Sequence, residues 1–294
     1  MTQKFRMKPW FYCLPALLLI LIVLVFPILY TGYVSTTNMN LYHWADYRFI
    51  GLANYARALF KFNSGFLSAL WTTILWTLIN MLLQIGIGFL IAIGLNSPAL
   101  RLRRMYKTLL MLPWAMPAYI SILLWRVGIF NTEFGVLNKL LIMLGLGKVD
   151  FLGSNTIAFC SCLALNLWMA LPFMISTIDG ALQSVDRNLY ESARLDGAGF
   201  WVCLRSITVP AIWPIVAPAA VMTTFITFKQ FDIIYLLTQQ RGYMTGASLN
   251  TVITYAHQNA FVSNNYGLSS AVSMLLFVVI IAFSLMTNRS LREE

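Results

Sequence analysis

The sequence predicts an all-α integral membrane protein with six transmembrane helices and a short helix pair on the cytoplasmic side between the fourth and fifth. Three observations predict it. Of 294 residues, 59% are apolar and only 10% are charged. The apolar side chains gather into six runs, each long enough to cross a bilayer, and Lys and Arg cluster between the runs with a one-sided bias. A soluble domain usually carries about 25% charged residues, and at ~300 residues a fold keeps too much surface to hide this apolar excess from water. Lipid is the solvent that accepts it.

A crossing helix needs roughly 20 mostly apolar residues, and the runs lie at about 11–33, 68–94, 108–130, 156–178, 210–228 and 267–287. The first follows Lys4, Arg6 and Lys8, and from Phe11 to about Tyr33 it exceeds the roughly 7–15-residue apolar core of a signal peptide. No small-x-small cleavage site follows at the right distance, so a retained helix is expected. The second ends ahead of the cluster Arg101, Arg103, Arg104 and Lys107. Proline interrupts the first run at Pro27, the third at Pro113 and Pro117, the fourth at Pro172, and the fifth at Pro214 and Pro218. Such breaks survive in lipid only where neighbouring helices or a cavity satisfy the freed backbone groups, which hints at a transport path. Arg126, near the outer end of the third run, is expected to be an interface anchor. With the N-terminus inside, the inner segments hold twelve Lys and Arg residues and the outer segments six: Arg48, Arg57, Lys61, Lys139, Lys148 and Arg241. That bias places both termini in the cytoplasm. No internal repeat or low-complexity linker is visible, so residues 1–294 are expected to form a single transmembrane domain.

The net charge of +10 does not point to nucleic acid, because the basic residues abut apolar runs instead of forming a stripe interleaved with aromatics. The four cysteines, Cys13, Cys160, Cys162 and Cys203, show no metal-ligand spacing, and His43 and His257 lie far away, so no metal site is expected. Small apolar side chains packed between helices account for them. No GxxxxGK[ST] is present: before Gly147-Lys148, Ile142 stands where the first Gly is needed, and Val149 follows. HExxH and GxSxG are absent too. The chain is expected to be no enzyme and to bind no cofactor of its own.

The segment at about 183–209 reads Gln183-SVDRNLYESARLDGAGFWVCLRSITVP-Ala211 through to the fifth run. Ser184 or Asp186 can cap a helix start with a side-chain oxygen. The helix then carries Leu189, Tyr190, Ala193 and Leu195 at helical spacing, and Gly197 can stop it in a left-handed conformation. A second short helix through Phe200, Trp201, Leu204 and Ile207 follows, until Pro210 marks entry into the membrane. The result is a helix–turn–helix with Phe200, Trp201 and Leu204 exposed together, which is costly without a covering partner.

Within it, Glu191-Ser-Ala-x-x-Asp196-Gly197-Ala198 followed by Ile207-x-Val-Pro210 resembles the EAA loop of permease subunits in binding-protein-dependent ABC importers. Ser192 replaces the usual second Ala, small for small. The resemblance implies that Glu191, Ala193, Asp196, Gly197, Ala198, Phe200 and Leu204 seat in a groove of a partner ATPase, with Glu191 and Asp196 offering charged contacts and Gly197 shaping the turn. Other stretches are similar to the maltose-type first permease subunit. They are Phe49-Ile-Gly-Leu-Ala-Asn54-Tyr55, Leu112-Pro113-Trp114-Ala-Met-Pro117, Trp168-x-x-x-Pro172-Phe173 and Phe231-Asp232-x-x-Tyr235-x-Leu-Thr238. One departure is Gln239-Gln-Arg-Gly, where the family often has Gly-Gly-Pro after that Thr. The first outer loop, about 34–67, is also too short for the large extracytoplasmic domain of some members.

A charge inside the membrane is a functional candidate by default. Lys229 and Asp232 are three apart, which on a helix puts them on one face as a mutual salt bridge, or lets one of them bind a sugar hydroxyl. Sugars are held by aromatic faces plus amides and hydroxyls. Asn166, Trp168 and Phe173 in the fourth run, with Thr224, Thr227 and Phe228 in the fifth, supply those types, and the resemblance places substrate contacts on the same helices. It further implies a sister permease, two copies of an ATPase that carries ATP and Mg, and an extracytoplasmic solute-binding protein, all at a bacterial or archaeal inner membrane. A stand-alone secondary transporter is the competing expectation. It would show inverted repeats and membrane-embedded carboxylates, whereas Asp179 and Asp232 sit at helix ends.

Overall fold

A computed structural model of the chain describes residues 10–61, 65–97, 100–239 and 249–293. Lys4, Arg6 and Lys8 of the first basic cluster, and Gln240, Arg241 and Gly242 of the departing loop, lie outside the described residues. The described chain is almost wholly helical; Thr37 and Phe49 form an isolated antiparallel bridge. Five helices are long and apolar enough to cross a membrane: α1 (Tyr12–Ser35), α3 (Phe66–Asn96), α7 (Asn155–Gln183), α9 (Phe200–Phe228) and α12 (Tyr266–Glu293). Between α1 and α3 lies the short α2 (Ala53–Phe60).

The third expected span is not one rod. It is two helices, α4 (Arg103–Ala115) and α5 (Ala118–Ile129), bent by 96° at a short break. Counted together they make the sixth span. The break is local chemistry. Proline disfavours the α conformation in the residue before it and brings no N–H of its own, and here Met116 is extended at ψ 139° and Pro117 at ψ 132°. The other prolines that the sequence reading took as interruptions break no helix among the described residues. Pro113, Pro172, Pro214 and Pro218 lie inside helices. Pro27 and Pro210 each follow two residues after a π turn, Leu21–Val25 and Leu204–Thr208. Their rings would crowd the carbonyl four residues back, and in both cases that carbonyl belongs to the widened turn, where the i→i+5 bonding relieves it.

The chain falls into two compact units, residues 1–70 with 252–294 and residues 71–251, the boundary crossing α3 after Leu70. In the first unit α1 and α12 pack side by side, with α2 and α11 (Val252–His257) against α12. Ala58, Phe66, Ala69, Val252, Ala256 and Val272 form its core. Asn54, from the stretch that resembles the family after the first helix, is buried and its amide donates to the carbonyls of Ser35 and Thr37 at 2.9 and 2.8 Å. Gly267 fits against the same place: its N–H donates to the Met39 carbonyl, and a Cβ there would stand 2.3 Å from the Thr37 carbonyl oxygen. The start of α12 is thereby stapled to the end of α1.

In the second unit α7 is central, packed against α4 and α9. Trp76, Ile122, Leu165, Ile233, Ile234 and Leu237 fill one level of its core, and Met81, Met174, Ile178, Ile212 and Val216 the level nearer residue 183. A small helix α6 (Val136–Met143) lies between α5 and α7, with α8 (Arg187–Leu195) before α9 and α10 (Asp232–Ile234) after it.

Candidate functional site

Residues 183–209 build the helix–turn–helix their sequence dictates, and of the two candidate caps one is used. Asp186, not Ser184, caps α8, accepting from the Asn188 N–H at 3.0 Å, while the Ser184 hydroxyl closes α7 by donating to the Ala181 carbonyl. At the other end Gly197 stands at φ +82°. The Ala198 N–H donates to the Ala193 carbonyl at 2.8 Å and the Gly197 N–H to the Arg194 carbonyl at 3.0 Å. This pair of bonds is the Schellman stop, which a left-handed residue at this position permits. The second helix starts at Phe200 but does not end at Pro210. It runs unbroken through the π turn into the fifth span as α9.

Leu195 is 90% exposed, Trp201 76% and Phe200 62%, the last two in an edge-to-face pair with ring centroids 5.4 Å apart. Glu191 and Asp196 are exposed beside them, whereas Ala193, Ala198 and Leu204 are half-buried. Leu204 therefore departs from the expected exposed trio, because the continuous helix turns it toward the bundle. The hairpin is held to the span by Tyr190, whose hydroxyl lies 3.0 Å from that of buried Thr208, which in turn donates to the Cys203 carbonyl.

Just above this segment the structure assembles a cluster that the sequence reading missed. Asp179, its side chain 10% exposed, accepts from Lys107, from Arg103 at 3.3 Å and from the Asn96 amide at 2.7 Å. Arg103 also donates to the Asn96 side-chain Oδ1 at 2.5 Å, and the Gln183 amide donates to both the Asp179 side chain and backbone carbonyl at 2.9 Å. A small cleft lined by Leu95, Leu110, Met111 and Ile175 opens beside the carboxylate. Arg103 and Lys107 had been counted as markers of the inner face and Asp179 set aside as a helix-end acid. The usable signal was an acid on an apolar helix at the same level as the densest basic cluster.

The expected substrate-path residues divide. Asn166 is buried and donates to Asn80 of α3 at 2.6 Å, and Asn80 donates to the Trp76 carbonyl. This is interhelical polar glue. Thr227 is buried, and the Thr224 hydroxyl donates to the Ala220 carbonyl of its own helix. Trp168 lies against Trp125, ring centroids 5.5 Å apart, and, like Phe173 and Phe228, is half-buried. Lys229 and Asp232 are exposed, and no ion pair joins them among the described residues. Their three-residue spacing assumed one continuous helix, but α9 ends at Phe228 and α10 begins at Asp232. Arg126, expected as an interface anchor, has a contact within the protein as well. It is half-buried and donates to the Leu236 carbonyl at 3.0 Å, in the π turn Tyr235–Gln239.

Comparison with known proteins bears on these geometries. Residues 84–292 match the family described as binding-protein-dependent transport system inner membrane component. The chain is 30% identical to the trehalose/maltose transport system permease protein MalF of Thermococcus litoralis, over 92% of this chain and 89% of that one. It is also 30% identical to the galactooligosaccharides transport system permease protein GanP of Bacillus subtilis, over 95% of this chain and 70% of that one. Its fold matches a crystal structure of a bacterial ABC transporter involved in import of the acidic polysaccharide alginate, with a TM-score of 0.81 at 24% identity, covering 97% of this chain and 94% of that chain.

Proposed function

The chain belongs to the family of binding-protein-dependent transport system inner membrane components, and from that premise we propose that it is the carbohydrate-translocating permease subunit of an ATP-driven importer. The names of its relatives supply the substrate class: a trehalose/maltose and a galactooligosaccharide system among them. The observation that carries the mechanism is the segment 183–199 with the start of α9. It is a turn of fixed shape between two spans, presenting Leu195, Phe200 and Trp201 to the surroundings with Glu191 and Asp196 beside them. Exposed apolar groups of this size, rimmed by charge, mark a protein interface. Its occupant on this reading is a separate ATPase, which holds ATP and Mg and hydrolyses the nucleotide. Glu191, Ala193, Asp196, Gly197, Ala198, Phe200 and Leu204 form the coupling surface.

The assembly has a sister permease, two ATPase copies and an extracytoplasmic solute-binding protein, in the inner membrane with both termini of this chain cytoplasmic. Closure of the ATPase dimer moves the coupling helices, and α9 passes the motion to the span. Trp168, Phe173, Thr224, Phe228, Lys229 and Asp232 supply the groups of the sugar path; Asn166 and Thr227 support it from within the bundle. Gentle solubilisation of the tagged chain from native membranes tests the reading. A P-loop ATPase and a second permease of the same family should co-purify. Recovery of this chain alone, with uptake intact and independent of ATP, would overturn it in favour of a secondary transporter.

A further inference from the structure

We propose, resting on the reading above, that Asp179 is the joint that makes residues 183–209 move as one with the spans α3 and α4. Three helix ends and one exit converge on this carboxylate. Asn96 is the last residue of α3, Arg103 and Lys107 occupy the first two turns of α4, and Gln183 is the last residue of α7, where the coupling segment departs. Gln183 grips the Asp179 side chain and backbone carbonyl together, so the last turn of α7 is locked to the group that holds the other two helices.

Two costs are built into this arrangement, and both point to a role beyond packing. Cations in the opening turns of a helix oppose its dipole, and both Arg103 and Lys107 stand there, held by one largely buried acid. Immediately before them Leu102 is left-handed at φ 60°, a conformation that Leu rarely adopts and that is maintained only where the surroundings over-determine it. The strained residue is the one that aims Arg103 at Asp179. The cleft at the carboxylate is walled mostly by Leu95, Leu110, Met111 and Ile175, with Ser176 as its one neutral polar side chain, so a parted ion pair meets few polar groups on that side. Networks of this kind are costly where a donor is left over, and here the buried Arg103 Nε has no acceptor among the described residues, so the cluster is held under tension and not at rest. The joint therefore has two settings, closed and open, and a shift of the coupling segment is delivered to α3 and α4 without slack. Asp179 acts here as a positioning residue, through the groups it holds.

The test uses the full complex in proteoliposomes, with Asp179→Asn, Lys107→Met, and the conservative Lys107→Arg. Both charge-removing variants should assemble and hydrolyse ATP. The sugar carried per ATP should fall by about tenfold in them, inside the roughly 5–150-fold span of site–site coupling, and Lys107→Arg, which keeps a cation for the carboxylate, should retain most of it. A wild-type ratio in both charge-removing variants overturns the proposal; so does uptake that falls in step with hydrolysis, the mark of a merely structural role. Spin labels at Tyr106 and Leu189 on the chain in nanodiscs give a second readout that needs no ATPase. Their distance distribution should broaden in Lys107→Met, and an unchanged distribution overturns the joint whatever energises transport. Wild-type uptake that survives removal of the ATPase would instead overturn the functional reading on which the joint rests.

Discussion

At Gly197 the constraint is conformational and not spatial. A Cβ built there meets nothing within 4 Å, yet φ is +82°, where an L side chain costs roughly 1–2 kcal/mol. Gly197→Val should leave the complex assembled and abolish uptake by reshaping the Schellman turn; Gly197→Asn, which tolerates the left-handed region, should retain part of it. Wild-type uptake by the Val variant would remove the turn from the mechanism. Tyr190 is the complementary case, fixing where the hairpin sits instead of what shape it has. Tyr190→Phe loses the contact to Thr208, worth about 1 kcal/mol, and should lower the thermal midpoint by a few degrees without affecting secondary structure, as differential scanning fluorimetry would show. His257 carries a pH dependence. Burial holds its imidazole below the ordinary value of 6.5, so the unfolded chain takes up the proton first as pH falls. Stability should be full above that ordinary value and decline below it, down to the depressed folded value. A His257→Gln variant should lack the slope below pH 6.5.

At the scale of elements, the staple between α1 and α12 has the least room to give. A methyl at Gly267 would stand 2.3 Å from a backbone carbonyl that a rotamer change cannot move. Gly267→Ala should therefore destabilise by about 1–3 kcal/mol, the usual range of overpacking, read as earlier loss of the monodisperse peak on heating followed by size exclusion. The spans were legible in the sequence because crossing a bilayer requires little more than twenty apolar residues in a row, and composition reports that directly. The state of each proline was not. Pro117 breaks its helix, whereas Pro210 follows a π turn and Pro113 and Pro172 sit inside continuous helices, so proline alone does not decide the outcome. The outcome depends on backbone bonding around each ring, which residue identity does not report.

For the whole molecule, what could be read from sequence was what neighbours along the chain decide. The hairpin stop at Gly197, the cap at Asp186 or Ser184 and the exposed aromatics of the coupling segment all arise within a dozen residues. Pairings across long stretches could not be read: Asn80 with Asn166, Arg126 with Leu236, and Lys107 with Asp179. Lys229 and Asp232 looked like partners only because the end of α9 at Phe228 was not visible in the residue pattern. The unbroken run of α9 from Phe200 to Phe228 has one more consequence. At 1.5 Å per residue its 29 residues reach about 43 Å, from Phe200 on the proposed ATPase surface to Thr224 and Phe228 on the proposed sugar path. The π turn Leu204–Thr208 and Pro210, Pro214 and Pro218 all lie between those ends, and these are the features at which a helix bends. On that reading the helix works as a spring and not a lever, so the sugar end answers the ATPase end after a delay and the two gates need not move in the same instant.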